Sequence, residues 1–83
     1  MSEQDLKNWA IKTFSSDNAR VIEQLDQLYL VVGFTKISKN QWWHDGEPLD
    51  FEYLDEIYVA HGNNLEELRR SAEEYHKDIA GVI

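Results

Sequence analysis

From Leu65 to Val82 the apolar residues (Leu65, Leu68, Ala72, Tyr75, Ile79, Val82) fall alternately three and four positions apart, the repeat of one face of an α-helix. A helix with one apolar stripe has to bury it, so this segment commits the chain to packing in layers. Asn64 with Glu67 three residues on supplies an N-terminal capping pair. Glu66 with Arg70, Arg69 with Glu73 and Glu73 with Lys77 stand at the i,i+4 spacing of a solvated face. The stripe is shorter than the sustained heptads of a coiled coil, so docking within the chain is favoured and self-association through it stays open.

Three other segments carry helical spacing. Ser2 with Asp5 forms a near capping box, and Leu6, Trp9, Ala10 and Phe14 follow on one face, which predicts a helix over 3–14. Ser15 to Asn18 offers N-cap residues for a second helix, in which Val21, Ile22, Leu25, Leu28, Tyr29 and Val32 occupy about a third of the wheel. Gly33 then serves as its left-handed terminator. The segment turns apolar on every side at Tyr29-Leu30-Val31-Val32, so its end is either deeply buried or already strand. Pro48 opens the third helix, with Asp50 in its first turn and Gly62 at its end. On that wheel Phe51, Tyr53, Leu54, Ile57, Tyr58 and Ala60 face one way and Glu52, Asp55 and Glu56 the other.

The expected fold is therefore a mainly α, four-helix domain spanning 1–83, with a short β-hairpin (Phe34–Ser38 against Gln41–His44, turning at Lys39-Asn40) as an option between helices 2 and 3. The expected core comprises Leu6, Trp9, Phe14, Val21, Leu25, Leu28, Val32, Phe51, Leu54, Ile57, Leu65, Leu68, Ala72, Tyr75 and Ile79. A compact chain of this length should have a radius of gyration of roughly 12 Å.

Charge is unevenly placed. Between Asn40 and Leu68 there are eight carboxylates and no Lys or Arg, while the remaining residues balance eight acids with eight bases, so the net charge of −8 belongs to that stretch. Such a field argues against direct contact with nucleic acid or an anionic membrane and for a protein partner with a basic surface. The longest apolar run, Leu28 to Phe34, is far short of a membrane span, and the acidic N-terminus does not resemble a targeting peptide; a cytoplasmic location is expected.

No pattern supplies catalytic chemistry. The chain has no Cys, which removes disulfides, thiol catalysis and thiolate metal sites. The glycines are scattered, so no phosphate-cradling loop exists, and no spacing resembles a nucleophile elbow. Glu73 and His76 form a single Glu-x-x-His, and a dinuclear carboxylate site needs two. His61 reads as a packed histidine at a helix end. No enzyme activity, cofactor or metal is expected.

What the sequence offers is a binding surface. Trp42-Trp43 is hard to bury as a pair, because neighbouring side chains diverge in any regular structure, and Trp is enriched at interface hot spots. With Asp45, Glu47, Glu52, Asp55 and Glu56 as steering charges and Val59 as an apolar centre among them, these residues form the expected partner-binding patch. The expected function is that of a small acidic inhibitor or regulator docking on a basic partner, such as a nucleic-acid-handling protein. A self-associating structural adaptor, or an antitoxin or immunity protein, are the alternatives.

Overall fold

The computed structural model describes the backbone of residues 1–44 and 47–81 and the side chains of residues 1–37 and 52–80. Two helices flank three strands: α1 (Glu3–Phe14), β1 (Asn18–Gln24), β2 (Gln27–His44), β3 (Glu47–Gly62) and α2 (Leu65–Gly81). The strands form one antiparallel sheet in the order β1-β2-β3. The expected four-helix, mainly α fold is thereby corrected to α+β.

Both terminal helices follow from local chemistry. In α1 the Ser2 hydroxyl accepts from the Asp5 N–H while the Asp5 carboxylate accepts from the Ser2 N–H, a reciprocal capping box. At the start of α2 the Asn64 side chain accepts from the Glu67 N–H at 2.9 Å and the Glu67 carboxylate accepts from the Asn63 N–H at 2.6 Å. Arg69 pairs with Glu73 at 3.1 Å and also lies over the Trp9 ring, 5.3 Å from its centre, which ties α2 to α1.

The second expected helix is instead the β1–β2 hairpin. Its turn falls at Leu25-Asp26, where both residues have positive φ (53° and 62°), the conformation a two-residue hairpin loop requires. Tyr29 to Val32 is apolar on both sides because β2 is the central strand. Leu30 and Val32 point to the helices, and Val31 is equally buried on the opposite face. Gly33 is a buried strand residue and not a helix terminator; a Cβ there would meet Leu54 Cδ1 at 2.9 Å.

The third expected helix is β3. Its register on β2 runs from Leu28↔Gly62 to His44↔Glu47, with irregularities between Leu30 and Val31 and between Lys39 and Trp43. At the first, Leu30 faces Ala60 and Val31 faces Tyr58, so Val59 is the extra residue of a β-bulge. The hairpin expected within 34–44 does not form: Phe34–Ser38 and Gln41–His44 both belong to the single strand β2, whose partner here is β3, and these two strands meet at His44 and Glu47.

The core lies between the sheet and the helices. Leu6 and Ala10 of α1, Leu68 and Ala72 of α2, and Ala19, Leu30, Val32, Val59 and Ala60 of the strands are buried together. Fully burying a side chain such as Leu6, Leu30 or Leu68 contributes about 1.5–3 kcal/mol. Several expected core residues are placed differently. Leu25 is 88% exposed at the turn, while Leu54, Ile57, Tyr75 and Ile79 remain substantially exposed; the Phe51 side chain lies outside the described residues. β1 pairs only with Gln27 to Gly33, so β2 and β3 continue past the end of β1 as a two-stranded arm. The radius of gyration is accordingly 16.3 Å and the longest dimension 52 Å, larger than a compact chain of this length would show.

At the α1–β1 junction Ser15 takes a left-handed conformation (φ 54°) and the Ser16 N–H returns to the Ile11 carbonyl. The Ser16 hydroxyl is buried and has no hydrogen-bond partner among the described residues. Replacing it with Ala removes an unsatisfied group, so Ser16→Ala is expected to raise unfolding stability by about 1 kcal/mol in a denaturant titration. A loss of stability would show that the hydroxyl is satisfied.

Candidate functional site

The sheet has one face covered by helices and one that carries no helix among the described residues, the open face, although Val31 and Gly33 are buried within it. Pairing register and alternation put Arg20 and Ile22 of β1, Tyr29, Val31, Gly33 and Ile37 of β2, and Glu52, Leu54, Glu56, Tyr58 and His61 of β3 on the open face. Ile37 (65%), Leu54 (42%) and Tyr58 (54%) are exposed there. Leu54 and Tyr58 alternate along β3 with carboxylates, as Glu52-x-Leu54-x-Glu56-x-Tyr58.

One ion pair crosses this surface. The Arg20 guanidinium donates to both Glu56 carboxylate oxygens, Nε–H at 2.6 Å and Nη2–H at 3.0 Å. Arg20 faces Val31 and Glu56 faces Gly33, so the pair spans the whole width of β2, and the missing Gly33 side chain keeps the crossing low. The hydrogen bond that Arg20 donates to Glu56, together with the Glu56 charge, raises the Arg20 pKa above the ordinary arginine value. A raised basic pKa contributes stability that is complete below the unfolded arginine pKa and lost only above it, so Arg20 adds no pH dependence in the working range. Asp55 points to the other face and pairs with Lys36 at 3.1 Å.

The expected patch is therefore divided. Glu52, Asp55 and Glu56 would share one side of a helix, but a strand separates Asp55 from the other two. Glu52 is exposed, with no ion pair among the described residues, whereas Asp55 and Glu56 are engaged by bases of the same chain. Val59 is 5% exposed in the core and is not a surface anchor. The Trp42 and Trp43 backbones lie in β2, Trp43 opposite Pro48, and Glu47 starts β3 opposite His44. Their side chains, and Asp45 altogether, lie outside the described residues. Leu54, expected in the core, and Ile37 are surface residues instead; for Leu54 the period-two alternation of acid and apolar residues over 52–58 is the signal.

Beside the open face, β3 has no strand neighbour on its outer side among the described residues. Between that edge and α2 runs a cleft of about 400 Å³, walled by Tyr29, Tyr58 and Tyr75 and rimmed by His61, Glu74 and Asp78. Tyr29 and Tyr58 meet edge to face with ring centres 5.8 Å apart. A second cleft of about 380 Å³ opens on the helix side, between Phe14, Phe34, Ile57, His76 and Ile79.

Among the described residues no three His, Asp or Glu side chains converge as a metal site. Glu73 is held by Arg69, and His76 packs edge-on against Phe14 at 5.5 Å. His61 is an exposed strand residue near Tyr29 and not a helix-end histidine. Among the described residues no helix is long and apolar enough to cross a membrane. No family model, curated protein or solved structure matches this chain.

Proposed function

We propose that this chain is a small acidic binding protein, an inhibitor or regulator that acts inside the cell by docking β3 and the β2–β3 arm on a basic protein, such as one that handles nucleic acid. The observation that carries this reading is the sheet face without a helix, where exposed Leu54 and Tyr58 stand among carboxylates in the segment that holds the net charge, with exposed Ile37 beside Glu52. Glu47, Asp50 and Glu52 steer the encounter, and the burial of Tyr58 and its neighbours supplies affinity. Glu56 contributes less than its charge suggests, because Arg20 already neutralises it. Self-association through the 65–82 seam is the weaker reading, since Leu68 and Ala72 are fully buried against the chain's own sheet. An antitoxin or immunity protein would use the same docking surface.

The test is kinetic. A basic partner captured from the host at low salt is purified, and association is followed at low and high salt for the native chain and for E47K/D50K/E52K. These positions avoid the Arg20 and Lys36 ion pairs. The charge-reversed chain is expected to associate about tenfold or more slowly at low salt, with the difference shrinking as salt rises, whereas Tyr58→Ala mainly speeds dissociation. Equal association rates at low salt would overturn the reading.

A further inference from the structure

The outer edge of β3 offers more than charge. The Asp17 N–H donates to the Gly33 carbonyl at 2.9 Å, so the Gly33 backbone faces β1, and alternation turns Val32 and Phe34 toward β3. Their partners Ile57 and Asp55 therefore spend their backbone groups on β2. The N–H and C=O groups of Glu52, Leu54, Glu56 and Tyr58 then point away from the sheet, along an edge that has no neighbouring strand among the described residues.

The charge on the edge decides what can pair with it. A second copy added antiparallel about Leu54 would set Glu52 of each chain opposite Glu56 of the other, and like charges directly opposite are destabilising. An incoming strand with Lys or Arg at alternate positions meets the same carboxylates favourably. The edge also ends at the aromatic cleft, where Tyr58 and Tyr75 provide ring faces and Glu74 and Asp78 provide carboxylates, a setting suited to one cationic side chain.

We infer that β3 binds an extended, basic segment of its partner as a fourth strand, pairing with Glu52 to Tyr58, with one Lys or Arg side chain of that segment in the cleft between Tyr58 and α2. Main-chain pairing supplies affinity and the cleft supplies selectivity. The inference rests on the proposed docking of β3 on a basic protein and adds its geometry.

A capped hexapeptide of alternating Arg and Val serves as the probe, with its Glu-Val counterpart, a version N-methylated on alternate amides, and spermine as controls. Amide hydrogen exchange is read on the full chain. The Arg-Val peptide is expected to slow exchange at Glu52, Leu54, Glu56 and Tyr58, and the N-methylated and Glu-Val peptides are not. E74K/D78K, at two exposed positions of α2, is expected to weaken peptide binding about tenfold. Absence of binding, binding without protection of those amides, or equal binding of spermine would overturn strand addition. Steering by Glu47, Asp50 and Glu52 is measured separately on the basic partner, so either idea can fail while the other stands.

Discussion

Truncating Leu30 to Ala is expected to lower unfolding stability by about 3 kcal/mol. Leu30 has no exposed surface and lies on the central strand, opposite Val21 of β1 and Ala60 of β3, within the cluster that joins both helices. Neighbours on two strands and two helices restrict the collapse that would refill the space. A domain of this size has roughly 4–12 kcal/mol in all, from about 0.05–0.15 kcal/mol per residue, so the loss is a large share. At about 4–8 °C per kcal/mol the melting temperature should fall by about 12–24 °C. Leu54→Ala, on the open face at 42% exposure, should cost under about 1 kcal/mol. If Leu54→Ala proved the costlier change in a urea titration, the placement of the core would be wrong.

The opposite sign is expected at the β1–β2 turn. Leu25 and Asp26 both have positive φ, and each L-residue held in the left-handed region costs about 1–2 kcal/mol that Gly avoids and Asn reduces. Leu25 is 88% exposed, so replacing it sacrifices little packing. The double variant L25N/D26G, which installs the Asn-Gly pair favoured in such turns, should gain about 2 kcal/mol. The helix expected from the wheel reverses this: Gly in a helix interior costs about 1 kcal/mol relative to Ala, and Asn is also a poor helix former. A rise in the urea midpoint supports the hairpin, and a fall counts against it.

These two sites show how far the sequence could be read. Val21, Ile22, Leu25, Leu28, Tyr29 and Val32 satisfy a helical wheel, yet Leu28, Leu30, Val32 and Phe34 satisfy a period of two equally well. Periodicity alone cannot separate a strand buried on both faces from a buried helix. The β-branched and aromatic residues around Tyr29-Leu30-Val31-Val32 favoured strand, as did the interval after Leu25-Asp26. In 47–62 the acids gather on one side of a helical wheel, yet Glu52, Leu54, Glu56 and Tyr58 also alternate with a period of two. Asp45-Gly46, a strong hairpin dipeptide by composition, lies between the paired residues His44 and Glu47, whereas Lys39-Asn40 carries a weaker signal.

The candidate site was legible in composition and illegible in geometry. A field concentrated in 40–68 is a property of the residues and survives any fold. Which acids remain available depends on partners far away in sequence. Arg20 reaches Glu56 across β2, and Lys36 reaches Asp55 from the adjacent strand. Val59 entered the core because a bulge placed it beside Ala60.

The sequence by itself determined the two terminal helices, through the Ser2–Asp5 and Asn64–Glu67 caps and the stripes behind them, because those interactions close within one turn of chain. It also determined where the negative charge lies. Only the tertiary structure decided that 18–62 is a sheet with an open acidic-apolar face and a free β3 edge. Strand pairing joins residues as distant as Leu28 and Gly62, and which face is buried follows from where α1 and α2 settle.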